Sequence, residues 1–140
     1  MSARDVFHEP FTRALLKEGW TITYDPLTIP FDGTDLFVDI GAERLIGAER
    51  DGERIAVEIK SFLKPSPVQD LKEAIGQYIL YSDIMAEAPE GAGRILYLAV
   101  REETHRVTFA KDQTQRLLRN RNIRLVVFDP EEEVITEWRS

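Results

Sequence analysis

The chain has 140 residues, of which 43% are hydrophobic and 31% are charged, and this balance excludes a disordered chain and fits a globular one. It has no cysteine, which excludes a disulfide framework, a thiolate metal site and a cysteine nucleophile. Its net charge of −7 makes it acidic, whereas proteins that act on duplex DNA usually carry a basic surface.

The chain shows no repeat, linker or low-complexity tract, so we predict a single domain over residues 1–140. No apolar run approaches the roughly 20 residues that a membrane helix needs. The first residues lack the cationic and apolar regions of a signal peptide, and we therefore expect a cytoplasmic protein.

The first segment predicts a helix that ends near Glu18. Phe7, Phe11 and Leu15 recur at helical spacing, and Gly19 stands where a C-terminal cap belongs. Pro10 requires either a kink or a regular helix that begins near Glu9.

Strands follow this helix, and Asp51-Gly52 is typical of a two-residue hairpin turn between two of them. A second helix is predicted to begin at Ser66, as the N-cap, with Pro67 in the first helical position and Gln69 completing a capping box. A third helix is expected from Lys111 to Arg121. The predicted strands are Trp20–Tyr24, Leu36–Ile40, Arg44–Arg50, Arg54–Phe62, Arg94–Val100, Arg124–Phe128 and Glu133–Trp138. This order predicts an α/β fold, a three-layer α/β/α sandwich around a central mixed sheet.

Two predicted strands carry charged residues inside apolar sequence. Asp39 lies in Leu36–Ile40, and Glu58 and Lys60 lie in Arg54–Phe62, where alternation directs both to the same face. If the hairpin brings the two strands together, Asp39 approaches Glu58, and two carboxylates suit Mg²⁺. A nearby lysine then orients a water molecule or offsets charge on a phosphate. The alternative is a solvated strand face without a metal.

Three further residues are candidates for completing this site. Glu9 in the first helix is a candidate third carboxylate, or simply a favourable acid in a first helical turn. Gln77 and Tyr81 are four residues apart on the second helix, on a face that we expect to differ from the stripe of Leu71, Ile75 and Tyr78. In the alternative interpretation, Tyr81 is a core aromatic residue.

A local exception to the acidic charge lies between residues 111 and 124. Lys111, Arg116, Arg119, Arg121 and Arg124 oppose only Asp112 there, which gives a local balance of +4. The first four are candidates for DNA contact, and the alternative is a solvated helix face.

The order of these motifs resembles the PD-(D/E)xK superfamily of nucleases, with its restriction-endonuclease-like fold. More specifically, segments along nearly the whole chain resemble the XisH family: residues 4–8 (RDVFH), 16–23 (LKEGWTIT), 25–29 (DPLTI), 55–62 (IAVEIKSF), 95–100 (ILYLAV) and 127–131 (VFDPE).

The superfamily resemblance implies that Asp39 and Glu58 bind the metal, with Glu9 as a further acid, and that Lys60 is the catalytic lysine. It makes Gln77 and Tyr81 an accessory pair. The sequence departs from the motif at Val38, where a proline normally precedes the aspartate.

The XisH resemblance implies a controlling factor for excision of the fdxN element during heterocyst differentiation in cyanobacteria. Such a factor acts beside a site-specific recombinase and a small XisI partner, so we expect a homo- or hetero-oligomer. Three functions stay open: an excision-controlling accessory factor, an active Mg²⁺-dependent endonuclease and a non-catalytic interaction domain. The −7 charge leads us to expect that any contact with DNA needs help from a partner.

Overall fold

The computed structural model describes residues 6–25, 27–31, 34–35, 45–63, 66–87 and 92–139. Its helices are α1 (His8–Lys17), α2 (Pro67–Ile84) and α3 (Asp112–Asn120). Its strands are β1 (Thr21–Tyr24), β2 (Pro30–Phe31), β3 (Thr34–Asp35), β4 (Leu45–Arg50), β5 (Glu53–Ile59), β6 (Ile95–Arg101), β7 (Leu125–Asp129) and β8 (Val134–Arg139). A 3₁₀ turn, Met85–Glu87, follows α2, and a helical turn, Glu102–Thr104, continues as a π-helix, His105–Phe109.

Six strands form one mixed sheet in the order β1-β4-β5-β6-β7-β8. The pairs β1–β4, β4–β5 and β7–β8 are antiparallel, whereas β5–β6 and β6–β7 are parallel. The two short strands β2 and β3 form a separate hairpin. The parallel centre is covered on both faces, which agrees with the nearly continuous apolar sequence of β6.

Two apolar clusters lie on opposite faces of the sheet and define the three layers. The residues on one face include Ala56, Leu96, Leu98 and Leu125, which pack with side chains of α2 and α3. The residues on the other face include Val57, Ile59, Ala99 and Phe128, which pack with Phe11 and Leu15 of α1. The predicted α/β/α sandwich around a mixed sheet is therefore confirmed.

Local sequence determines the ends of the first two helices. Gly19 has a φ of +89°, and its N–H bonds the carbonyl of Leu16 while the N–H of Trp20 bonds that of Leu15, which is a Schellman cap. Pro10 lies in the first turn of α1, where no N–H is needed. At α2, the hydroxyl of Ser66 accepts a hydrogen bond from the Gln69 N–H, as expected of an N-cap.

The predicted turn at Asp51-Gly52 is confirmed, because both residues have positive φ and Arg50 pairs directly with Glu53 across the hairpin. The resulting register places Leu45 opposite Glu58. The β2–β3 hairpin and the helical turns over residues 102–109 were not expected from the sequence, because neither has a clear periodicity. The predicted strand Leu36–Ile40 lies outside the described residues.

Candidate functional site at the carboxyl end of β5

Glu58 lies near the carboxyl end of β5, in the middle of the sheet. Its strand neighbours Val57 and Ile59 pack into the α1 face, and Ala56 packs into the α2 face, so alternation places Glu58 on the α2 face. Glu58 is completely buried. A carboxylate in such an apolar layer requires compensating polar or cationic groups, so this residue is unlike an ordinary solvated strand acid.

Lys60 follows β5 directly and lies on the same side as Glu58, as predicted. It is only 4% exposed, and its Nζ lies 3.2 Å from Oε1 of Glu73 on α2. Its backbone N–H continues the parallel ladder to the carbonyl of Ala99 at 3.1 Å. The lysine is thus held between the end of a central strand and the first half of α2.

The start of α2 supplies polar groups that sequence reasoning missed. Asp70 is 1% exposed, and within the described residues neither of its carboxylate oxygens has a hydrogen-bond partner. Gln77, one of the predicted accessory residues, also has its side-chain oxygen buried without a partner there. Asp70, Glu73 and Gln77 follow helical spacing along one side of α2, the side that reaches Lys60. In the sequence, Asp70 resembles any acid in a first helical turn.

The prediction that Tyr81 lies on a different face from Tyr78 is wrong. Tyr81 is 2% exposed and belongs to the same cluster as Ala74 and Tyr78, whereas Leu71 and Ile75 are only partly buried at its margin. The buried stripe of α2 is rotated toward Tyr81, because the sheet below selects which side of the helix it covers. Tyr81 is a core aromatic residue in this arrangement.

Glu9 lies on α1, which packs on the opposite face of the sheet from α2. It is exposed and lies 3.4 Å from Arg13, one turn further along the helix. The neighbouring His8 is 3% exposed, and its Nε2 lies 2.9 Å from the carboxylate of Asp25. Glu9 thus forms a surface ion pair with Arg13, whereas His8 beside it is buried.

Of the three carboxylates predicted to bind a metal, two lie among the described residues, Glu9 and Glu58. Asp39 lies outside the described residues, so its predicted approach to Glu58 stays a prediction. Among the residues that the structure describes, no group of three or more His, Cys, Asp or Glu side chains is placed to hold a metal ion. A carboxylate such as that of Glu58 and a backbone carbonyl such as that of Ile59 are oxygens of the kind that Mg²⁺ accepts.

The cationic residues predicted for DNA contact lie on and around α3. Lys111, Arg116, Arg119 and Arg121 are all exposed, and none of them forms an ion pair within the described part of the chain. Leu118 alone on this helix is fully packed into the core. The amphipathic pattern therefore leaves the arginines on the outer side of the α2/α3 layer.

These features define the class of protein: an α/β sandwich with a mixed six-stranded sheet and a buried Glu–Lys motif at the end of a central strand. No helix in the described ranges has the length and apolar character needed to cross a bilayer. The XisH protein family matches residues 1–136, and the chain belongs to the XisH family.

Two solved structures are similar to this chain over its full length. One is an XisH family protein from Nostoc punctiforme PCC 73102, with 39% identity, a TM-score of 0.86, and coverage of 97% of this chain and 100% of that chain. The other is an fdxN element excision controlling factor protein from Anabaena variabilis, with 41% identity, a TM-score of 0.86, and coverage of 98% and 100%. No curated protein matches the chain.

Proposed function

We propose that this protein is an XisH-type controlling factor for the excision of a DNA element, an accessory to site-specific recombination that acts with a XisI-type partner. The observation that supports this most is the 41% identity, over the whole domain, to a protein described as an fdxN element excision controlling factor. The net charge of −7 of this chain favours an accessory role, because a partner with a basic surface would offset the repulsion between an acidic protein and DNA.

The accessory role is tested with a reporter plasmid that carries an fdxN-type element between its attachment sites. The plasmid is placed in cells that express the cognate recombinase and the XisI-type protein, with and without this chain. We expect excision to depend on this chain, and the XisI-type protein to copurify with it. Excision at the same frequency in its absence would contradict the proposal.

A second candidate function is a Mg²⁺-dependent endonuclease with a restriction-endonuclease-like fold. The observation that favours it is the burial of Glu58 and Lys60 on one face of a central strand end, at 0% and 4% exposure. When bound, the metal would polarise a phosphate and lower the pKa of a water molecule. In this chain, Glu58 and Asp39 would hold the ion, and Lys60 would balance charge that develops on the phosphate.

The arrangement of Lys60 sets a condition for this activity. Its ammonium lies 3.2 Å from the carboxylate of Glu73, so this contact must loosen or be shared before the lysine meets a phosphate. Glu73 is one-third exposed, which leaves that contact reachable from the solvent side. A phosphate that enters from this side would compete with Glu73 for the same ammonium group.

Catalysis is tested by incubating the protein, with and without its partner, with supercoiled, branched and single-stranded DNA in the presence of Mg²⁺ or Mn²⁺. We expect cleavage that Glu58→Gln and Lys60→Met each reduce by at least about 10²-fold, because each removes a group that acts on the reacting phosphate. Lys72→Met, on the exposed side of α2, is the matched control.

Two results separate the candidates. The Glu58→Gln and Lys60→Met variants are first shown by thermal unfolding to be folded. If they still support excision, the accessory function is supported and a need for nuclease activity is contradicted. Absence of cleavage of all three substrates, together with no calorimetric binding of Mg²⁺ or Mn²⁺, would contradict the nuclease independently of excision.

A further inference from the structure

A groove of about 190 Å³ lies where the end of α3 meets the sheet, and three arginines line it. Arg119 comes from the last turn of α3, Arg124 immediately precedes β7, and Arg139 ends β8. The remaining lining residues are Gln115, Leu118, Asn122, Ile123 and Leu125. Arginines from the end of α3, from the residue before β7 and from the end of β8 thus line one concave surface, and none of the lining residues is acidic.

The charge in this groove is largely uncompensated. Within the described residues, neither Arg119 nor Arg124 forms an ion pair, and only Arg139 does so, with Glu137 at 3.3 Å. Several arginines elsewhere, namely Arg13, Arg50, Arg54 and Arg101, each pair with a carboxylate. In a chain with a net charge of −7, a groove with two uncompensated guanidinium groups is a local exception.

The helix dipole does not account for this cluster. A cation in the last turn of a helix is stabilised by the partial negative charge at the carboxyl end, and this explains Arg119. It does not explain Arg124, which precedes β7, or Arg139, which ends β8. The partial negative charge at the carboxyl end of α3 also disfavours a bound anion. Two further arginines beside Arg119 are therefore needed to hold an anion there.

Further exposed cations lie near the groove. Arg116 is three residues before Arg119 on α3, Lys111 stands at the start of that helix, and Arg121 follows its end. A helix of nine residues is about 13 Å long, which spans several phosphates of one DNA strand. Several exposed cations spread over this length fit a polymer of regularly spaced phosphates better than they fit a single small anion.

We propose that this groove and the adjoining face of α3 form a binding surface for the phosphate backbone of duplex DNA. Guanidinium groups bind phosphate oxygens in a two-pronged geometry, as they also bind carboxylates, so the choice of DNA rests on the extent of the cationic surface and on the DNA-related function proposed above. The groove is at the amino end of β7, whereas Lys60 lies beyond the carboxyl end of β5, so the surface is separate from the Glu58–Lys60 site. The proposal deepens the DNA-related function proposed above and rests on it.

Binding is measured by fluorescence anisotropy of a short labelled DNA duplex over a series of KCl concentrations. The test variant is Arg119→Gln with Arg139→Gln, and Arg124→Gln is measured separately because that residue is half-buried. Lys72→Gln removes one exposed cation on α2 and is the control for loss of a positive charge outside the groove. Circular dichroism melts establish that each variant folds.

We expect the double variant to bind DNA at least about tenfold more weakly, and the slope of log K against log salt to fall by about 2, one for each lost phosphate contact. Lys72→Gln should bind within about twofold of the unchanged protein. Equal affinity of the double variant and Lys72→Gln would overturn the proposal, and so would absence of DNA binding at low salt.

A competition arm separates DNA from an acidic protein partner. Polyglutamate that binds the unchanged protein through Arg119 and Arg139, while duplex DNA does not bind, would overturn the DNA assignment. These outcomes are distinct from failure of the proposed function, because excision in the reporter assay is scored independently of DNA affinity. Excision that persists in an Arg119→Gln, Arg139→Gln variant with lost DNA affinity would reject the groove's role and leave the accessory function standing.

Discussion

At the scale of single residues, the core contains polar groups whose placement depends on distant backbone. The guanidinium of Arg94 is fully buried, and it donates to the carbonyl of Ile55 at 2.9 Å and to the hydroxyl of Thr23 at 3.2 Å. Burial lowers the pKa of Arg94 from its ordinary value. A Cβ at Gly47 would lie 3.1 Å from Arg94 Nη1, so the glycine provides the space for this side chain.

Tyr78 ties α2 to two strands through a single hydroxyl. It donates to the carbonyl of Leu96 at 2.8 Å and accepts from the N–H of Arg124 at 3.1 Å. Burial raises the pKa of Tyr78 above its ordinary value. Tyr78→Phe should lower the free energy of unfolding by about 1–3 kcal/mol at neutral pH, because two backbone groups lose their partner. Urea denaturation measures this, and Tyr97→Phe is the control for loss of a phenol.

The same residue predicts a pH dependence. A phenol whose pKa is higher in the folded state favours folding fully below about pH 10, the unfolded value, and this contribution is lost as pH rises through the folded pKa. The stability of the unchanged protein should therefore fall above about pH 10, and that of Tyr78→Phe should fall less steeply. Parallel pH profiles for the two proteins would show that this pKa shift does not contribute.

At the scale of elements, α2 is the helix that connects the core to the candidate site. One side, with Ala74, Tyr78 and Tyr81, packs on the sheet, and Glu73 on the adjoining side contacts Lys60, just after β5. The amino-terminal half of α2 is therefore held in two ways, by the N-cap at Ser66 and by the contact of Glu73 with Lys60 in the second turn. Loosening this part of α2 would disturb the site as well as the helix.

Ser66→Ala removes the side-chain acceptor of this N-cap, which receives the Gln69 N–H at 3.2 Å. We expect a loss of about 1 kcal/mol in the free energy of unfolding, measured by urea denaturation. Ser66→Asp keeps an acceptor at the same position and should stay within a few tenths of a kcal/mol. Equal destabilisation by the two substitutions would mean that the cap is not the source of the effect.

The elements also show where sequence reasoning succeeds. The Gly19 cap, the Ser66 N-cap and the Asp51-Gly52 turn were predicted correctly, because each depends on a few adjacent residues with special backbone chemistry. The face of α2 that carries Tyr81 was predicted incorrectly, because several apolar positions on that helix allow more than one stripe. Only the sheet on which the helix packs selects between them.

At the scale of the whole molecule, charge is distributed unevenly. The chain has a net charge of −7, yet the groove at the amino end of β7 is lined by three arginines and no acidic residue, and further cations are exposed on α3. The Glu58–Lys60 site lies beyond the opposite, carboxyl end of the central strands. Under the proposed function, DNA would bind a surface that lies away from the buried Glu58–Lys60 motif, which is compatible with a role as an accessory factor.

The sequence by itself determined the family, the α/β class and the positions of most helices and strands. Those properties depend on local periodicity, turn chemistry and matched segments, which are all readable along the chain. It also predicted that Glu58 and Lys60 share a face, because alternation in a strand requires only the spacing of two residues.

Only the tertiary structure decided which distant groups meet. The contact of Lys60 with Glu73, the burial of Asp70 and the convergence of Arg119, Arg124 and Arg139 depend on how helices pack on the sheet and how strands are ordered. Lys60 and Glu73 lie 13 residues apart on different elements, and Arg139 comes from β8 to meet Arg119 and Arg124, so local periodicity predicts neither meeting. The physical reason is that packing selects one helix face and one strand order from several that the same local sequence permits.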